Sequence, residues 1–94
     1  MPDTAFTTRW QRAQACIGHG VAAIDTPSLV IDLDAMDRNL ARMAAFASER
    51  GLRLRPHAKM HKSAELARLQ VAAGAVGVCV QKTSEAEALA RGGV

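Results

Sequence analysis

The hydrophobic pattern changes period several times along this chain. Leu29-Val30-Ile31 is a short, β-branched apolar run behind the turn signal Asp25-Thr26-Pro27, which predicts a strand over residues 28–33. Met36, Leu40, Met43, Ala44 and Ala47 then recur at helical spacing and predict a helix over residues 35–49, with both methionines on its core face. Asp34 is its expected N-cap, Asp37 a favourable first-turn charge and Gly51 its stop. Residues 52–57 alternate again as a strand. Ser63 is placed to cap a helix bearing Leu66, Leu69 and Ala73 and closed by Gly74. The continuous small apolar run of residues 75–80 reads as a strand covered on both faces. Ser84-Glu85-Ala86-Glu87 has the form of a capping box, opening a helix that contains Leu89 and ends at Gly92-Gly93. Upstream, residues 7–17 predict a short helix, broken by Gly18-His19-Gly20, within an irregular leader of residues 1–24.

Strand, helix, strand, helix, strand, helix with short connections is the signature of an α/β fold with parallel strands. Two or three parallel strands alone would leave long unpaired edges and bare apolar faces. The expected architecture is therefore the N-terminal part of a (β/α)8 barrel, a fold of about 250 residues, truncated here after about two barrel strands. Residues 25–94 would be an incomplete barrel domain behind the leader.

Composition narrows the function classes. The chain is 49% hydrophobic, which argues against disorder. It has 3% aromatics and much alanine, so its core should be thin. The net charge of +3 comes from dispersed arginines without aromatic interleaving, so no nucleic-acid partner is expected. No apolar run reaches transmembrane length, and the start Met1-Pro2-Asp3-Thr4 lacks signal-peptide features, so no membrane partner is expected and the cytoplasm is the expected compartment. Cys16 and Cys79 form no pairing pattern and read as free thiols.

Candidate chemistry concentrates in Arg55-Pro56-His57-Ala58-Lys59-Met60-His61-Lys62. If the strand stays extended, Arg55, His57 and Lys59 share one face, and Lys59 projects at the C-terminal end where barrel enzymes place their chemistry. A lysine amine there is a candidate nucleophile toward a carbonyl. A solvated loop lysine is the alternative. His57 and His61 have the i,i+4 spacing of a helical metal pair. They lack the glutamate of a zinc peptidase, and Pro56 disfavours a helix, so orienting the lysine or hydrogen-bonding a cofactor fits better than metal ligation. Gln81, at the end of the next predicted strand, could serve a ligand or a surface hydrogen bond. No P-loop, dinucleotide-binding loop or Gly-x-Ser-x-Gly elbow is present.

Three blocks carry a resemblance: residues 25–33, residues 55–62, and Gly74-Ala75-Val76-Gly77-Val78-Cys79-Val80-Gln81-Lys82-Thr83-Ser84-Glu85-Ala86. In this order and spacing the chain resembles the D-threonine aldolase and D-serine dehydratase-like family, of the alanine racemase-type fold. The resemblance implies an N-terminal barrel followed by a β-rich domain, with residues 28–33 pairing with that distant domain and residues 52–58 forming the first barrel strand. It implies that Lys59 holds pyridoxal 5′-phosphate as an internal aldimine, with His57, His61 and Gln81 near the cofactor. It further implies cleavage or dehydration of D-3-hydroxy amino acids, a divalent metal whose ligands are expected beyond Val94, and a homodimer. A non-catalytic carrier of the same cofactor is the competing implication. Met60 stands where the family pattern expects a small residue or Thr, and Val80 where Cys is common.

Overall fold

The structure, a computed structural model, describes residues 8–94. Expectations that touch residues 1–7, including a helix start at Thr7, lie outside the described residues. The described chain divides into two compact units, the first ending at Ile31 and the second running Asp32–Val94.

In the first unit, helix α1 spans Arg9–Ala15. Thr8 Oγ1 accepts from the Gln11 N–H at 3.1 Å, and Gln11 Oε1 accepts from the Thr8 N–H at 2.8 Å. This reciprocal box fixes the helix start. Beyond its end the Cys16 thiol donates to the Ala23 carbonyl at 3.2 Å, drawing the loop back onto the helix. Both Cys16 and Cys79 are free. Residues 28–32 carry no regular structure, and Leu29 is 80% exposed. The expected strand over residues 28–33 is therefore not formed among the described residues. A strand is completed by a partner that takes up its N–H and C=O groups, and none of the described residues does so here.

The second unit holds three α-helices. Helix α2 spans Leu33–Glu49 and begins earlier than expected, because Asp32 rather than Asp34 is its N-cap. Asp32 Oδ1 accepts from the Ala35 N–H at 3.0 Å, and Asp34 becomes the first-turn charge instead. Ala47 is buried, while Met36, Leu40 and Ala44 are half-buried. Met43, expected in the core, is 51% exposed. The helical period placed it near the edge of the apolar stripe, and the strip that this unit covers is narrower than the stripe.

Helices α3, Ala64–Ala72, and α4, Thr83–Arg91, follow. Ser63 caps α3 as expected, accepting from the Leu66 N–H. α4 starts before the expected Ser84 cap: its N-cap is Lys82, and the acid that reaches back is Glu85, not Glu87. All three helices end in the same Schellman geometry. Leu52 N–H donates to Ala47 C=O at 2.9 Å, Ala75 N–H to Gln70 C=O at 3.1 Å, and Val94 N–H to Leu89 C=O at 3.0 Å. The residue before each donor is a glycine with positive φ: Gly51 at 64°, Gly74 at 122° and Gly93 at 89°. Gly92 serves a different need, since a Cβ there would run into Ala64 Cβ.

The expected strands over residues 52–57 and 75–80 run as neighbouring extended segments with one parallel bridge, His57 to Cys79. The pairing comprises Val76 N–H to Leu54 C=O at 2.9 Å, Cys79 N–H to Pro56 C=O at 2.8 Å and Ala58 N–H to Cys79 C=O at 2.8 Å. The first two acceptors are two residues apart, whereas their donors are three apart. One extra residue in 77–78 therefore bulges, and the ladder never becomes regular. Gly77 fits this place because the Arg55 guanidinium nitrogen lies 2.8 Å from where a Cβ would stand. Covering on both faces holds only in part: Ala75 is buried and Val78 and Val80 are half-buried, but Val76 is 49% exposed.

Behind the bridge lies a small core of Ala58, Ala67 and Leu89, backed by Ala64, Val78 and Val80. α3 packs on α4. Arg68, midway along α3, donates to the Gly92 carbonyl and ties α3 to the C-terminal end of α4. Small side chains allow this close approach, as the alanine-rich composition anticipated.

Two stability outcomes follow in the protein that carries this chain, both measured by urea denaturation. Gly51→Ala places a Cβ in the left-handed region and should lower stability by about 1–2 kcal/mol. Ala67→Leu overfills a site with 0% exposure and should lower stability by about 1–3 kcal/mol. Unchanged midpoints would contradict the helix end and the packing, respectively.

Candidate active site

Immediately past the bridge, the chain tightens into a 3-10 turn, Ala58–Met60. His57 caps it: Nδ1 accepts from the Lys59 N–H at 3.1 Å. The Lys62 N–H then donates to the Ala58 carbonyl at 2.8 Å. This turn corrects the expectation that Arg55, His57 and Lys59 share one strand face, because the period of two ends at His57. Ala58, 2% exposed, is plugged into the core and anchors the turn, while Lys59 is exposed. Lys59 makes no ion pair among the described residues.

His61 points back into the protein. Its Nδ1 accepts from the Ser63 N–H at 2.9 Å, and its Nε2 lies 3.1 Å from Gln70 Oε1. An acceptor at Nδ1 requires the proton on Nε2, so Nε2–H donates to Gln70. Both ring nitrogens are thereby engaged, and they dock the lysine turn onto α3. His57 differs. Its Nδ1 is engaged with the turn, which puts the neutral ring's proton on Nε2, and that nitrogen has no partner among the described residues.

Gln81 stands two residues past Cys79, as Lys59 stands two past His57. The parallel bridge thus brings both to the same end of the paired segments. The exposed Gln81 side chain has no hydrogen-bond partner among the described residues, whereas its N–H is held by Glu85 Oε2 at 2.9 Å. Glu85 Oε2 also accepts from the Lys82 N–H at 3.3 Å. Its other oxygen lies 3.7 Å from Lys62 Nζ. The Gln81 N–H holds the Glu85 carboxyl below the usual range, with the Lys82 N–H and the Lys62 and Lys82 charges adding to that and partial burial opposing it. A depressed carboxylate contributes stability above its unfolded-state pKa, and that contribution disappears only as pH falls through the depressed value. At neutral pH Glu85 is fully ionised.

The structure therefore gathers Lys59, His57 and Gln81 at one end of the bridged segments and sets His61 behind them. Glu85 was missed from sequence as a member of this group. The spacing Lys82-x-x-Glu85 is itself capping-box spacing, but the serine-led alternative two residues later obscured it. Gln70 carried no local signal, because its contact with His61 is made across a helix. Among the described residues no three His, Cys, Asp or Glu side chains converge on a possible metal position, and no helix is long and apolar enough to cross a membrane.

Comparison with known proteins extends this geometry. The family described as alanine racemase, N-terminal domain, matches residues 31–94. The chain is 51% identical over 78 residues to 3-hydroxy-D-aspartate aldolase from Paracoccus denitrificans, covering 82% of this chain and 20% of that protein. It is 53% identical over 64 residues to D-threo-3-hydroxyaspartate dehydratase from Delftia sp., covering 68% of this chain and 17% of that protein. A solved structure of D-threonine aldolase from Filomicrobium marinum superposes with a TM-score of 0.75 at 54% identity, over 79% of this chain and 20% of that one. The chain thus spans about a fifth of the length of the curated relatives it matches. Matched in sequence over most of its length and in backbone at high identity, the chain belongs to the alanine racemase N-terminal domain family and has the fold of the opening part of that (β/α)8 barrel.

Proposed function

We propose that this chain supplies the covalent anchor of a pyridoxal 5′-phosphate-dependent lyase acting on D-3-hydroxy amino acids, with retro-aldol cleavage to glycine and an aldehyde as its reaction. The carrying observation is the position of Lys59: an exposed amine, without an ion-pair partner among the described residues, on a turn pinned from behind by Ala58 and His61. The names of the relatives support the substrate class, since each acts on a D-3-hydroxy amino acid. The relative named as a dehydratase supports the second reading, a dehydratase of the same substrates.

The donor set fits the cofactor. Lys59 offers an amine able to bond the cofactor's carbonyl carbon, and His57 Nε2–H and the Gln81 amide offer hydrogen bonds beside it. When bound, the cofactor supplies an electron sink for the carbanion at the substrate Cα. The chain's own residues supply placement: His57 fixes the Lys59 backbone through Nδ1, and His61 acts indirectly by docking the turn on α3. The described residues do not bring three possible metal ligands together, and the ligands of the divalent metal that the resemblance implies are expected beyond Val94. We further propose that residues 25–94 form a barrel-domain segment behind a leader of residues 1–24, in a cytoplasmic, homodimeric enzyme without nucleic-acid or membrane partners.

Borohydride reduction of the protein carrying this chain, in the presence of pyridoxal 5′-phosphate, should place a pyridoxyl group on Lys59 by peptide mass analysis. Lys59→Ala should abolish that label and lower kcat for D-threonine by at least about a thousandfold. A label on another lysine, or full activity in Lys59→Ala, would sink the assignment. His61→Ala should lower labelling less than His57→Ala if His61 acts only from behind the turn.

A further inference from the structure

Two loops meet at Glu85. One is the lysine turn and its exit, residues 58–63. The other is the Gln81–Lys82 link into α4. Glu85 grips the second loop through the N–H groups of Gln81 and Lys82, at 2.9 and 3.3 Å, and faces the first through Lys62 Nζ at 3.7 Å. Its side chain is 17% exposed, so the carboxylate sits partly out of water between the loops. Lys62 adds an independent observation. With φ at 53° it is the non-glycine residue with positive φ among the described residues, a conformation that favours glycine and needs surrounding contacts to hold it. The backbone at Lys62 turns sharply there, and its ammonium is the group that meets Glu85.

We propose that Glu85 is a positioning residue for Lys59. It clamps the strained exit of the lysine turn, through Lys62, against the Gln81–Lys82 loop, and so sets where the Lys59 amine stands relative to Gln81. The function assigned to the clamp rests on the reading of Lys59 as the cofactor's anchor. Glu85 touches neither cofactor nor substrate in this scheme. A plain helix cap would need only the two N–H bonds and would be indifferent to Lys62. The clamp needs Lys62 as well, and this difference makes the two separable.

The test compares Glu85→Gln, Glu85→Ala, Lys62→Met and the Lys62→Met/Glu85→Gln double variant in the protein that carries this chain. Three quantities are read: hydrogen exchange in peptides covering residues 57–63 against residues 36–47 of α2, affinity for added pyridoxal 5′-phosphate by fluorescence titration, and borohydride labelling of Lys59. Glu85→Ala should speed exchange over residues 57–63 and weaken cofactor affinity about tenfold, leaving α2 unchanged. Glu85→Gln keeps an acceptor for the two N–H groups but loses the charge. It and Lys62→Met should each weaken affinity about threefold, and the double variant should be no worse than either single one. If Glu85→Ala fails to fold, Glu85→Gln and Lys62→Met decide alone. Lys62→Met leaving both exchange and cofactor affinity within about twofold of wild type would reduce Glu85 to a helix cap and overturn the proposal. Wild-type label away from Lys59 fails the anchor reading and with it the positioning role, while the exchange data report separately whether Glu85 and Lys62 hold the loops together.

Discussion

Two hydrogen bonds at one residue hold the second unit in register. Cys79 donates its N–H to the Pro56 carbonyl and accepts from the Ala58 N–H, both at 2.8 Å. Pro56 has no N–H to donate, and it takes part through its carbonyl alone; the preceding pairing is the Val76 N–H donating to the Leu54 carbonyl. The odd residue in 77–78 absorbs the mismatch, and Gly77 leaves room for the Arg55 guanidinium. Because Ala58 is both a partner in this bridge and 2% exposed, the hydrogen-bond register and the core packing fix the same residue, one through its N–H and the other through its side chain. The adjacent Lys59 has little freedom to slide along the chain.

From that point outward, each constraint acts on the lysine turn from a different side. His57 Nδ1 closes it from within, Ala58 from the core, and His61 from α3. Glu85 reaches its exit at Lys62 from the start of α4. None of these contacts is strong alone: one exposed-edge ion pair and a few hydrogen bonds are modest in water. Their convergence on five residues is what defines a position for the amine. Preorganisation of this kind matters more for a covalent anchor than for a solvated lysine, because a mobile four-carbon side chain samples many geometries that do not react.

Helix ends were legible in the sequence because they depend on one residue's backbone freedom. Gly51 and Gly74 were identified as stops and carry positive φ. Helix starts were less legible. Acidic and hydroxyl residues occur in clusters: spacing alone does not choose between Asp32 and Asp34, and at α4 it favours Ser84 where Lys82 is the N-cap and Glu85 the acid that reaches back. The strands were the least legible. Apolar alternation records a tendency to be extended, but a ladder requires a partner with matching spacing, and the step from Leu54 to Pro56 is one residue shorter than the step from Val76 to Cys79 that pairs with it. For residues 28–33 no partner is found among the described residues. The motif residues could be named from sequence; their division of labour could not. His57 and His61 look equivalent in the pattern, yet one leaves a ring nitrogen at the site and the other has both engaged in docking the turn.

That division bears on the anchor role proposed for Lys59. Aldolase and dehydratase names occur among proteins about equally identical to this chain, 51% and 53%. Proteins bearing either name therefore share this segment to a similar degree. A lysine turn fixed by backbone pairing, a buried alanine and the His57 Nδ1 contact suits the anchor role proposed for Lys59. In the site proposed around Lys59, His57 Nε2 and the Gln81 side-chain amide are the further groups without a hydrogen-bond partner among the described residues, which leaves both open to a ligand.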